Sequence, residues 1–220
     1  MQQIKKIILE KNGPFPLPKY NHIKLRDLAE LDNLNKSTDA FLEYFGKRIG
    51  NEQLFGEISP SYARLPPKAY ELMSNLSSDI RILFLMRDPV ARTISHFQHI
   101  LRRVPTLDIN EEINNLSPGN PYYERSNYMA TINAVKMGAP NTPFKTFIFE
   151  ELFTEKAMRA LCLFLGIEYI TPKFDTKSNS SHNSYKLSNE QISNIRERLA
   201  PIYEDMASFF GSNKPSKWKW

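Results

Sequence analysis

Cysteine is nearly missing from this 220-residue chain. Cys162 stands alone, so no disulfide can close within the chain and no multi-cysteine zinc site can be built. Long apolar runs are missing as well. No stretch of 18 apolar residues occurs, and the first residues carry Lys5, Lys6, Glu10 and Lys11 where a secretory leader needs an unbroken apolar segment. These absences predict a cytoplasmic chain without a membrane span. Glycine is sparse, at 8 residues, and none of it forms the G-x-x-x-x-G-K-[ST] loop that grips ATP phosphates, which argues against a P-loop kinase or nucleotidase. No internal repeat and no Pro/Gly-rich linker interrupts the chain, so it reads as a single domain over residues 1–220.

Against these gaps stand 41% hydrophobic residues and 12% aromatics, enough to bury one core and to exclude general disorder. The formal net charge is +5, and the excess is uneven. Between positions 81 and 103, Arg81, Arg87, Arg92, Arg102 and Arg103 face a single acid, Asp88. That concentration points to a local anion site rather than diffuse basicity. Nucleic acid is disfavoured as the partner, because no helix-turn-helix, zinc-finger or RNP-like pattern accompanies the charge.

Three apolar runs, 54–58, 82–86 and 144–149, read as strands. The second is apolar at every position and suits a strand covered on both faces, as in a parallel sheet. Each is followed by helical spacing. Tyr70, Met73 and Leu76 follow Pro66 and Pro67, while Val90, Ile94, Phe97 and Leu101 follow Asp88 and Pro89. Thr154 is placed to cap a helix that Gly166 stops. Ser188 and Gln191 form a capping box for a last helix with a kink at Pro201. Strands alternating with helices predict an α/β layered fold. Three strands are few for such a sheet, which usually has about five or six, so a strand is expected to be missing.

The chemistry concentrates in Arg87-Asp88-Pro89-Val90-Ala91-Arg92-Thr93-Ile94-Ser95. An apolar strand ends at Arg87, Asp88 is a good N-cap, and Pro89 sits at the first helical position, where its lacking N–H costs nothing. The carboxyl end of a strand running into a helix N-terminus is where open α/β sheets bind anions. Arg87 can present a bidentate fork and Ser95 a hydroxyl, and both could grip one phosphate. The plain alternative is that Arg87 pairs with a carboxylate and Ser95 is a solvated helix residue.

At this point the sequence resembles the PAPS-dependent sulfotransferases. Arg-Asp-Pro-x-x-Arg-x-x-Ser after an apolar strand is similar to their 3′-phosphate-binding motif. Gly56-Glu57-Ile58-Ser59-Pro60-Ser61-Tyr62 resembles the Gly-Glu-x-Ser/Thr-Pro-x-Tyr segment of the bacterial and glycan-modifying branch. Thr146-Phe147-Ile148-Phe149-Glu150-Glu151-Leu152 and Phe164-Leu165-Gly166-Ile167 are similar to a later strand, an acidic turn and a helix end. The resemblance implies a P-loop NTPase-like three-layer fold with a parallel sheet flanked by helices. It also implies transfer of a sulfuryl group from 3′-phosphoadenosine 5′-phosphosulfate (PAPS), as co-substrate and without a metal, to a hydroxyl or amine of a small-molecule, glycan or lipid acceptor.

By this resemblance Glu57 is the general base, and Arg87 and Ser95 hold the nucleotide's 3′-phosphate. Lys177 and Ser181, in the polar stretch 173–186, would close over the same nucleotide. Without the resemblance, Glu57 reads as a turn cap or an arginine partner. His96, His99 and His182 lack an orienting partner in the sequence and are not expected to act as bases. Cys162 lies on an apolar helix face and is read as packing. In the tail, Trp218 is expected to dock on the domain, with its lysines solvated.

One family element has no counterpart. The family's first strand and its Lys-x-Gly-Thr-Thr loop, which cradles the 5′-phosphosulfate, are not present; residues 4–10 followed by Asn12-Gly13-Pro14 resemble the end of the helix that comes after that loop. The chain is therefore expected to be N-terminally incomplete and catalytically impaired, since donors aimed at the transferring group supply a large electrostatic share of such catalysis. The competing expectation is a non-catalytic protein of the same fold that binds anions or partners through the basic helix 89–103.

Overall fold

A computed structural model describes Leu54, residues 56–172, Phe174 and residues 186–220. A 3₁₀ turn, Pro60–Arg64, leads into helix α1 (Pro67–Ser74), and strand β1 (Ile82–Met86) follows. Helix α2 (Pro89–Leu101) starts after two intervening residues, Arg87 and Asp88, with α3 (Ile109–Asn114), α4 (Pro121–Glu124) and α5 (Tyr128–Gly138) after it. Strand β2 (Phe144–Ile148) runs without a break into α6 (Phe149–Leu152). Helices α7 (Glu155–Leu165), α8 (Asn189–Arg198) and α9 (Ala200–Phe210) complete the order.

β1 and β2 pair in parallel, Ile82 opposite Phe144 through Met86 opposite Ile148. A parallel pair cannot be closed by a hairpin, so the chain between the two strands must cross over, and helices α2 to α5 do so. The result is an α/β fold with a small parallel sheet flanked mainly by helices. Its main core joins Met86 of β1, Val90, Phe97 and Leu101 of α2, Ile132 of α5, and Ile195, Ile202 and Met206 of the last two helices. No helix among the described residues is long and apolar enough to cross a membrane.

Local signals act as their chemistry predicts. Asp88 Oδ1 accepts from Ala91 N at 2.7 Å, Thr154 caps α7, and Gly166 ends it with φ +70°, a conformation that costs glycine least. The Ser188–Gln191 capping box is formed. At Pro201 the helix does not kink but divides: α8 ends at Arg198 and α9 begins at Ala200, with Pro201 in its first turn, where a proline N–H is not needed.

Two sequence expectations need correction. Residues 56–58, described within the expected strand 54–58, form no strand. Ile58 is 95% exposed, and Ser59 with Pro60 immediately starts the 3₁₀ turn, so neither burial nor a ladder partner holds the segment extended. The all-apolar β1 is also not covered on both faces. Leu83 and Leu85 remain 37% and 40% exposed. In neighbouring β2, Phe147 is buried and Lys145 lies over the Phe164 ring of α7.

Candidate anion-binding site

β1 delivers Arg87 to its carboxyl end, and Asp88 turns the chain into α2. Three groups fix this corner. The Tyr128 hydroxyl donates to Arg87 O at 2.6 Å, the Glu150 carboxylate accepts from Asp88 N at 3.0 Å, and the Tyr203 hydroxyl donates to Asp88 Oδ2 at 2.7 Å. Burial, then the Asp88 carboxylate, pushes the Tyr203 phenol up, so it stays a proton donor. Burial likewise raises Tyr128 to about 12. Asp88 itself is buried and fully engaged by Ala91 N, Tyr203 Oη and Lys219 N, so it is not the partner of Arg87.

The Arg87 guanidinium is poised differently. It stacks over Phe149, 5.1 Å from the ring centroid, and its Nε lies 3.9 Å from Glu150 Oε1, beyond hydrogen-bond reach. That Nε is buried without a hydrogen-bond partner, while the side chain as a whole is 37% exposed. Among the described residues no group accepts a hydrogen bond from it. An arginine held by stacking, with no hydrogen-bond acceptor among the described residues, has the chemistry to receive an anion.

Arg92 lies one turn into α2. Its Nε donates to Ser126 Oγ, and one Nη donates to Thr93 Oγ1 at 3.0 Å and Tyr122 O at 2.6 Å. Burial lowers its pKa to about 10, and the nearby Arg125 and Arg87 act in the same direction. Arg125 in turn donates from Nη1 to His96 Nε2 at 3.1 Å, and its Nε is buried without a partner. Since arginine only donates, His96 Nε2 must accept, which keeps the imidazole neutral. Burial, then Arg125 and Arg92, lowers His96 to about 4. Among the described residues no carboxylate pairs with Arg92 or Arg125. Arg125 and Arg87 both lie within electrostatic reach of Arg92, and these three guanidiniums outnumber the two carboxylates of the corner, Asp88 and Glu150.

Ser95 stands on α2 three residues beyond Arg92 and seven beyond Asp88, so all three share a face. Its hydroxyl has no hydrogen-bond partner among the described residues, and it does not bond to Arg87. Glu57 lies in the exposed segment before the 3₁₀ turn, not on a strand. Its neighbour is Tyr62, whose phenol is raised to about 12 by burial and then by the Glu57 carboxylate. Lys177, Ser181 and His182 lie outside the described residues. His99 contacts Arg102 through Nδ1 at 3.2 Å on the exposed side of α2. Among the described residues no three His, Cys, Asp or Glu side chains gather to hold a metal.

Sequence reasoning missed Arg125, Ser126, Tyr128 and Tyr203. Each is far from Arg87 along the chain, and none sits in a spacing that marks it. The tail is more engaged than expected: Trp218 is buried, Lys217 Nζ donates to Glu150 O at 2.8 Å, and Lys214 lies over the Trp220 ring at 5.1 Å.

No protein-family model matches the chain. No curated protein matches it either. Among solved structures it is similar to a sulfotransferase from Alicyclobacillus acidocaldarius, with a TM-score of 0.65 and 21% sequence identity over 86% of this chain and 78% of that one. At this identity the likeness concerns the fold, and the α/β arrangement around β1 and β2 is that of a sulfotransferase-like fold.

Proposed function

We propose that the chain binds the adenosine 3′,5′-bisphosphate portion of PAPS and serves sulfuryl transfer to a hydroxyl or amine, in the cytoplasm. The observation that carries this reading is Arg87: a guanidinium at the carboxyl end of a parallel strand, beside a helix N-terminus, with no hydrogen-bond acceptor among the described residues and two more arginines nearby. Its fork suits the 3′-phosphate, and the Ser95 hydroxyl on the Arg92 face of α2 supplies a further donor. Lys177 and Ser181 complete the proposed nucleotide contacts. The same reading extends the described two-strand sheet to a P-loop NTPase-like three-layer fold.

In the reaction, the acceptor oxygen or nitrogen forms a bond to sulfur while the bond between sulfur and the bridging 5′-phosphate oxygen breaks. Adenosine 3′,5′-bisphosphate leaves, and the acceptor proton passes to the Glu57 carboxylate. The proposed step takes no metal, as the resemblance to PAPS-dependent sulfotransferases implies. The acceptor is a small molecule, glycan or lipid.

Calorimetry with adenosine 3′,5′-bisphosphate tests the binding step. The wild-type chain binds it, Arg87→Ala weakens it by about tenfold or more, as for a charge-assisted bidentate contact, and adenosine 5′-monophosphate is indifferent to the substitution. Equal bisphosphate affinity in the two proteins removes Arg87 from the site. Binding that ignores the 3′-phosphate and falls steeply with salt supports the non-catalytic anion-binding alternative instead. For the chemical step, Glu57→Gln lowers kcat for sulfuryl transfer by about 10²–10⁴-fold, the usual share of a general base.

A further inference from the structure

Among the described residues, the carboxylate that lies within 4 Å of Arg87 is that of Glu150, and the end of the chain fixes it. Glu150 Oε1 accepts from Asp88 N at 3.0 Å, and Oε2 accepts from the Trp218 indole Nε1 at 3.1 Å. Lys217 Nζ holds the Glu150 carbonyl at 2.8 Å, and Lys219 N is bonded to Asp88 Oδ2 at 3.0 Å. Trp218 is 3% exposed, within an aromatic cluster that includes Tyr128, Tyr203 and Phe210. Residues 217–219 therefore strap both strand ends at once, one through Asp88 and the other through Glu150.

We infer that Trp218 is a positioning residue for anion binding: its indole N–H holds the Glu150 carboxylate at 3.9 Å from Arg87 Nε, near enough to orient the guanidinium and too far to consume its donors. The inference rests on the bisphosphate reading above and adds its regulation by the tail. A carboxylate oxygen that loses a buried N–H partner seeks another, because an unsatisfied buried acceptor is costly. The oxygen released is Oε2; once it is free the carboxylate can turn, and the donor beside it is Arg87 Nε, itself buried and without a hydrogen bond and 3.9 Å from Oε1. Without the indole donor, Glu150 closes from 3.9 Å to hydrogen-bond distance of Arg87, and an incoming phosphate must displace it. The strap thus keeps Arg87 open.

The test is a double-mutant cycle on the full chain, read by calorimetry with adenosine 3′,5′-bisphosphate and with adenosine 5′-monophosphate as control. Trp218→Phe keeps the buried ring and removes only the donor. It is expected to weaken bisphosphate binding about three- to fivefold, the competition offered by one partly exposed ion pair, and to leave monophosphate binding unchanged. In a Glu150→Gln background the same substitution costs nothing, since no charge remains to compete. A loss that persists in that background reports general damage to the corner and overturns the inference, as does wild-type affinity in Trp218→Phe. Should Trp218→Phe fail to fold, β-(3-benzothienyl)alanine placed at position 218, a bicyclic isostere of the indole without the N–H, decides: bisphosphate binding weakened about threefold supports the inference, and wild-type affinity overturns it. Wild-type protein that does not bind bisphosphate, or binds it independently of Arg87, instead sinks the underlying functional reading.

Discussion

The Tyr203 phenol donates to Asp88 Oδ2 at 2.7 Å, joining the last helix to the residue that caps the helix after β1, 115 positions earlier in the chain. Asp88 Oδ2 also accepts from Lys219 N at 3.0 Å, so this carboxylate ties three parts of the sequence together. Tyr203→Phe keeps the ring in its cluster and removes the donor. It should destabilise the protein by about 1–3 kcal/mol, the cost of leaving a buried acceptor short of a partner, measured as a lower urea midpoint at unchanged slope.

Gly138 closes α5 where that helix meets the start of α1. A Cβ added there would lie 1.9 Å from Pro67 O, a backbone atom that cannot swing aside. Gly138→Ala is therefore expected to cost about 1–3 kcal/mol or more through forced separation of the two helices, read by chemical denaturation. Gly119 offers the contrast in space: nothing lies within 4 Å of its added Cβ, though its φ of +89° makes substitution a local backbone penalty instead.

His96 gives the fold a sensitivity to acid. Its folded pKa is lowered to about 4 from 6.5, chiefly by burial and then by Arg125 and Arg92. Below pH 6.5 the unfolded chain takes up a proton that the folded chain refuses, so stability is complete above that pH and falls as pH drops toward 4. Partial exposure and screening keep the effect to about 1 kcal/mol. His96→Asn, which can still accept from Arg125, should flatten the stability profile between pH 6.5 and 4 in thermal melts; an unchanged profile removes His96 as the cause.

Arg125 touches Arg92 only through its field, whereas Arg87 is proposed as a direct contact. Arg125→Met should lower bisphosphate affinity several-fold at low ionic strength and much less at high salt, because charge separated from the ligand is screened. The loss from Arg87→Ala should survive high salt, since a hydrogen-bonded fork is lost along with the charge. Titrations at two salt concentrations separate the two roles.

Much of the site's scaffold was legible because it is local. The run Ile82–Met86, the Asp88 cap, Pro89 at the first helical position and the Thr154 and Ser188 caps all act within four residues, where spacing carries the physics. Residues 56–58 form no strand because an apolar run holds one only with a ladder partner and burial, and Ile58 has neither. Arg125 was illegible for a related reason: nothing near it in sequence marks a guanidinium that ends up against His96.

The sequence by itself determined that a basic strand-to-helix corner exists, because strand period, N-cap and proline are short-range preferences of the backbone. Which charges at that corner are spent and which stay open was decided only by tertiary structure. Tyr203 and Lys219 engage Asp88, and Trp218 holds Glu150 off Arg87, through hydrogen bonds between residues more than sixty positions apart. Such pairings arise from packing of the whole core, and no local pattern encodes them.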